Sequence, residues 1–227
     1  MTTHSPRVLE QIELVLFDLD GTLLDTAPDL VNALMQVCDE QAVAAPDFEL
    51  ACRYVSTGAA GLVRLAFPDE EPEPFESYRQ RLVDLYAERI CELTAPFSGS
   101  PQLLEHLETT GTHWGVVTNK PAALTEPLLA QIGLAERCAA IISGDTLAER
   151  KPHPGPILHA LAQVGTEPTR ALYLGDAPQD IKAGNAAGVG TLAVTWGYII
   201  PGQDPHSWGA DYTIDHPQDL LDLAVTQ

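Results

Sequence analysis

The chain has 227 residues, 45% of them hydrophobic, which is enough for one large domain or for one domain carrying a smaller insertion. Its 32 acidic residues against 12 basic ones give a net charge of -20, which repels phosphate backbones and anionic lipid and argues against nucleic acid or membrane as partner. No apolar run approaches the roughly 20 residues of a membrane span; the opening MTTHSPRVLEQ lacks a secretory layout, and Cys38, Cys52, Cys91 and Cys138 form no C-x-x-C pair, so a soluble cytoplasmic protein without disulfides is expected.

In chain order, Leu14 to Phe17 is an unbroken apolar run, the pattern of a strand buried on both faces in a parallel sheet. Asp18 and Asp20 follow at its exit, and Gly21 lets the backbone turn. Thr26 or Ala27 then caps a helix, with Pro28 in its first turn and Asp29 at its positive end. From there to about Pro96 the pattern is helical without a convincing strand. Pro46 and Asp47 start a second helix, Gly58 and Gly61 loosen a third, and DEEPEPFES (69–77) reads as a loop before a longer helix. Beyond Pro96 strands and helices alternate: helix from Ser100 to Gly111, strand His113–Thr118, helix Pro121–Ile132, strand Ala139–Ser143, helix Pro154–Val164, strand Ala171–Leu174, helix Gln179–Ala187, strand Thr191–Thr195 and a last strand near Tyr212. This order predicts an α/β fold: a Rossmann-like, mostly parallel sheet core built from residues 1–24 and 96–227, with a small helical cap, 25–95, inserted between them.

In such a sheet ligands bind beyond the carboxyl ends of the strands. Asp18 and Asp20 lie at the first of these ends, Thr118 and Asn119 at the second, Gly144 and Asp145 at the third, and Gly175 and Asp176 at the fourth, with Asp180 one helical turn later. Alone, the Asp18–Gly21 stretch reads equally as an Asp/Gly turn, and a calcium loop of the EF-hand type fails on spacing. Together, carboxylates converging on one edge call for a divalent cation, and an all-oxygen set suits magnesium. Lysine is scarce, and Lys151, in the loop before a helix, is placed to offset phosphoryl charge.

DLDGTLLDT (18–26), VVTNK (116–120), RKPHP (150–154) and GDAPQDIKAGNAAG (175–188) together resemble the haloacid dehalogenase superfamily of phosphohydrolases, over essentially the whole length. The resemblance implies Asp18 as nucleophile, Asp20 as general acid/base, Thr118 and Asn119 as phosphate contacts and Lys151 as charge stabiliser. It also implies magnesium held by Asp18, the backbone carbonyl of Asp20 and Asp176, with Asp180 as an orienting carboxylate. Dehalogenases of this superfamily lack the second aspartate, so Asp20 points to phosphoryl transfer. A sugar phosphomutase and a non-enzymatic phospho-receiver are the competing readings; the latter fold is smaller and has no inserted cap.

The leaving group is read by the cap and neighbouring loops. Candidates are TGAAGLVR (57–64), with Arg53 or Arg64 as anion contacts, and the loop WGYIIPGQDPHSWGAD (196–211), where Trp196, Tyr198, His206 and Trp208 either stack on a sugar ring or pack the loop onto the core. This loop, with VVTNKP, QIGLAER and DHPQDL, resembles the phosphoglycolate phosphatase group, and within it the members that act on N-acetylmuramic acid 6-phosphate. The expected substrate is a small phosphate ester, and a monomer with an opening and closing cap is the default.

Overall fold

The computed structural model describes residues 12–221; the polar opening segment, read above as lacking a secretory layout, lies outside them. The apolar run Leu14–Phe17 (β1) lies in the middle of a six-stranded sheet. The other strands of this sheet are His113–Val117 (β4), Ala140–Ile142 (β5), Ala171–Gly175 (β6), Gly190–Val194 (β7) and Tyr212–Ile214 (β8). Their order is β5-β4-β1-β6-β7-β8, and every neighbouring pair is parallel.

Alternation along the central strands fills both faces, which is why they carry no polar side. Val15 and Phe17, with Trp114, Val116, Leu172 and Leu174, belong to one apolar layer. Leu14 and Leu16 join Val117, Ala171 and Tyr173 in the other, against Ile157, Ala160 and Leu161. Between strands run the helices Ser100–Thr110 (α5), Ala122–Gln131 (α6), Gly155–Val164 (α7) and Pro178–Ala187 (α8), close to the sequence expectation. Among the described residues no helix is long and apolar enough to cross a membrane.

Four helices lie between β1 and α5: Ala27–Glu40 (α1), Phe48–Arg53 (α2), Gly58–Ala66 (α3) and Pro72–Glu88 (α4). Three local expectations are corrected here. Two short strands that the pattern did not suggest, Leu24–Asp25 (β2) and Ala95–Pro96 (β3), pair antiparallel where the chain leaves and re-enters the sheet region; two residues are too few to show a period. The acidic stretch 69–77 is not all loop, because α4 begins at Pro72: prolines fit a first turn, whose N–H groups have no partner within the helix. Thr26 makes no cap bond to α1 and donates instead to Asp20.

Asp29 fastens the returning chain. Its carboxylate accepts the Leu93 N–H at 3.0 Å, the Thr94 N–H at 2.9 Å and the Thr94 hydroxyl at 2.7 Å. On the other side of β2, the Tyr198 hydroxyl donates to Asp25 Oδ1 and accepts the Ala27 N–H, both at 2.8 Å. Removing a buried acceptor that serves several donors leaves them unpaired at about 1–3 kcal/mol. Asp29→Ala should therefore lower stability by about 2 kcal/mol, seen in urea titration as a lower midpoint at unchanged slope.

Candidate active site

The parallel strands deliver their carboxyl ends to one rim. Asp18 leaves β1 with its N–H on the Leu174 carbonyl at 2.8 Å, which aligns it with the end of β6. Lys151, in the loop before α7, extends its ammonium into the same place. Its Nζ lies 2.8 Å from Asp18 Oδ1, 2.7 Å from Asp180 Oδ1 and 2.8 Å from the Tyr173 hydroxyl, which in turn donates to the Val117 carbonyl. Lys151 is 4% exposed and Asp180 0%, so this charge assembly is almost dry.

Asp176 and Asp180 come from the β6–α8 turn. Asp180 Oδ2 accepts the Ala177 N–H at 3.1 Å, tying the carboxylate to the first turn of its own helix. Asp176 Oδ2 accepts the Tyr198 N–H at 2.8 Å and the Ser56 hydroxyl at 2.7 Å, the latter from the turn between α2 and α3. Asp176 Oδ1 is buried without a hydrogen-bond partner among the described residues. Candidate ligand oxygens of Asp18, Asp176 and Asp180 all lie within 4.8 Å of one another. An orphaned carboxylate oxygen inside an all-oxygen trio fits a hard divalent cation. Close approach is enforced by Gly21, whose φ is +85; a Cβ there would come within 2.1 Å of Asp176 Oδ2.

Asp20 belongs to a separate pair. Its Oδ1 accepts the Thr26 hydroxyl at 2.6 Å and Lys120 Nζ at 2.8 Å. Its carboxylate is outside the acidic trio, which leaves the main-chain carbonyl as the group that the resemblance assigns to the metal. Burial works against the charge on Lys120, but Asp20 and Tyr86 hold its pKa above the ordinary value. Thr118 is buried on the wall of a cavity of about 410 Å³, and its hydroxyl accepts the Lys120 N–H at 3.1 Å. Asn119 also lines the cavity, yet its side-chain amide is committed to the Lys151 main chain, donating to the carbonyl and accepting the N–H at 3.1 Å each. That side chain therefore holds the lysine loop in place. Asp145 lies apart from the trio and caps α6 through the Ala122 N–H at 2.8 Å.

Leaving-group candidates divide differently from the sequence expectation. Thr57 to Ala60 do line the cavity, opposite Asp18 and Asp20. Arg53 and Arg64 do not; Arg64 donates to the Pro68 and Glu70 carbonyls and stacks on Phe75. None of Trp196, Tyr198, His206 and Trp208 lines the cavity. Trp196 donates to the Thr22 carbonyl and Tyr198 is buried with its hydroxyl on Asp25 and Ala27, so these two aromatics pack the loop onto the core. Sequence reasoning passed over Ser56, Tyr173, Lys120 and Arg79. Lys120 alone had a signal, two residues beyond Thr118 at a strand end; the others act through partners distant in sequence.

Buried carboxylates and one locked ammonium gathered at the strand ends of a parallel sheet, with Asp18 and Asp20 on a cavity wall, define an α/β protein with an acidic site. The chain belongs to the haloacid dehalogenase-like hydrolases, whose family model matches residues 15–194, and it is a phosphoric monoester hydrolase of that superfamily. It is 41% identical over 214 residues to N-acetylmuramic acid 6-phosphate phosphatase of Pseudomonas aeruginosa, covering 94% of this chain and 95% of that one. It is 39% identical over 211 residues to phosphoglycolate phosphatase of Xanthomonas campestris, covering 93% and 96%. A crystal structure described as a predicted phosphoglycolate phosphatase from Haemophilus somnus superposes with a TM-score of 0.85 at 27% identity, covering 96% and 99%.

Burial pushes the Asp18 carboxyl from 3.8 up to about 7, with Lys151 opposing and Asp180 adding. Burial likewise holds Asp176 well above the usual range, helped by Asp18 and Asp180. Without metal, the folded protein thus keeps protons that the unfolded chain releases near 3.8, and that contribution to stability is lost as pH rises toward about 7. Thermal midpoints in chelator should fall across this window, and magnesium should raise the midpoint more above it than below it.

Proposed function

We propose that the chain is a cytoplasmic, magnesium-dependent phosphomonoesterase that works through an aspartyl-phosphate and acts on N-acetylmuramic acid 6-phosphate. Residues 25–95 serve as its cap, and a monomer suffices. The observation that carries this reading is the buried Lys151 ammonium 2.8 Å from Oδ1 of Asp18, which lines the cavity, beside an acidic trio with an orphaned oxygen.

The substrate phosphoryl group sits against Asp18, with the Thr118 hydroxyl and the Lys151 ammonium on its oxygens. Asp18 attacks phosphorus in line with the ester oxygen. Magnesium held by Asp18, Asp176 and the Asp20 carbonyl, oriented by Asp180, would supply the positive charge that offsets the developing phosphoryl oxygens. Asp20 donates a proton to the leaving alcohol. Thr26 and Lys120 both address Asp20 Oδ1, which leaves Oδ2 to carry that proton. The same carboxylate then takes a proton from the water that opens the phospho-enzyme, and Asp18 is restored. Water as acceptor separates this reaction from a phosphomutase.

Support for the sugar substrate comes from the P. aeruginosa relative and from a cavity of about 410 Å³, within the range of sites for molecules larger than a two-carbon acid. A second reading, 2-phosphoglycolate, is favoured by the named activity of the X. campestris relative. Parallel rates on N-acetylmuramic acid 6-phosphate, 2-phosphoglycolate and glucose 6-phosphate decide between them: the first should lead, and a preference for phosphoglycolate of about tenfold, 1.4 kcal/mol in transition-state binding, reverses the order. Asp18→Asn should abolish turnover with little change in unfolding midpoint, and chelation should stop the native enzyme. Substantial steady-state activity in the Asn variant would remove Asp18 from its role.

A further inference from the structure

One face of α4 roofs the cavity. Arg79, Leu82, Val83 and Tyr86 are spaced i, i+3, i+4 and i+7 and all four line it. The face is apolar in its middle and polar at both ends. Tyr86 is 1% exposed and its ring lies 4.5 Å from Lys120 Nζ, the ammonium that holds Asp20. This end therefore adjoins the carboxylate assigned to the leaving oxygen. Arg79 stands two helical turns away, about 10 Å along the axis. Glu76 engages its Nε at 2.8 Å and its Nη2, which fixes the guanidinium plane and leaves Nη1 free to donate.

We propose that Arg79 is a specificity-determining residue that binds a carboxylate at the far end of a hexose-sized sugar acid phosphate, with the α4 face from Tyr86 to Arg79 as the gauge of substrate length. Leu82 and Val83 cover the apolar body of such a substrate between these ends. A two-carbon phosphorylated acid carries its carboxylate beside the ester and cannot reach from the Asp20 end to the arginine. The lactyl group of N-acetylmuramic acid places one across the ring. This inference rests on the phosphomonoesterase reading above and names the group that selects its substrate.

The test is steady-state kinetics of the full chain with magnesium on N-acetylmuramic acid 6-phosphate and N-acetylglucosamine 6-phosphate, which differ only by the lactyl ether. Arg79→Gln should raise KM for the first by about tenfold, the loss typical of one charge-assisted contact, with a much smaller change in kcat. The preference of the enzyme for the lactyl sugar should fall by the same factor, and Arg79→Lys should restore part of it. A merely structural arginine would depress both substrates alike. That result, or an unchanged preference in the Gln variant, overturns the proposal while leaving the sugar phosphatase reading intact. A native enzyme that favours 2-phosphoglycolate over both sugars overturns the two together.

Discussion

Everything at the rim depends on one ammonium. Lys151 Nζ joins Asp18, Asp180 and the Tyr173 hydroxyl within 2.8 Å, and so ties together the exits of β1 and β6, the first turn of α8 and the loop before α7. In a buried site an unpaired charge costs several kcal/mol, so each partner is held where it is by the cost of releasing it. The balance is incomplete: three carboxylates, Asp18, Asp176 and Asp180, face a single lysine. With all three ionised, the two surplus negative charges would equal the charge of one divalent cation; without a cation, burial keeps protons on Asp18 and Asp176 instead. Asp20 and Lys120 neutralise each other nearby and add nothing to the surplus. The oxygen of Asp176 that lacks a partner among the described residues belongs to the same trio.

The features legible in the sequence are those that a short local pattern can encode. A strand buried on both faces has no choice but to be continuously apolar, so β1 and its neighbours announced themselves, and with parallel strands came the rule that chemistry gathers at their carboxyl ends. Asp18, Thr118, Asp176 and Lys151 follow from that rule plus the motif order. Elements that depend on pairing across the chain were not visible. The β2–β3 ribbon is two residues wide, and its register is set by Asp29 and Tyr198 from elsewhere. Ser56 reaches Asp176 across 120 positions, and nothing in its neighbourhood marks it. Tyr198 was open to stacking as well as to the commoner use, packing, since an aromatic ring serves both; its buried hydroxyl, shared between Asp25 and Ala27, decides for packing.

A net charge of -20 poses a problem for an enzyme whose substrate is an anion, and the basic residues are placed so as to answer it. Lys120, Lys151, Arg79 and Arg150 all stand at or beside the cavity, while acids such as Glu73, Asp84, Glu88 and Glu105 lie on exposed positions. Surface carboxylates act across water and salt and are screened beyond about 8–10 Å. The lysines act at contact distance in a site from which water is largely excluded, where a charge counts for more. Local geometry therefore outweighs the global sign, and the acidic surface does not prevent the site from holding a phosphate.

The same residues explain how the cavity roof is coupled to its floor. Asp176 Oδ2 receives one hydrogen bond from Tyr198, whose hydroxyl grips the hinge at Asp25 and Ala27, and one from Ser56, which lies in the turn leading into the cavity wall Thr57–Ala60. A carboxylate of the acidic trio is thereby bonded both to the hinge of the inserted helices and to their tip. The Ser56 bond is worth about 1.5–3 kcal/mol, as expected for a charged acceptor. The inserted helices, the loop after β7 and the acidic trio are therefore joined in this structure through a single side chain, Asp176.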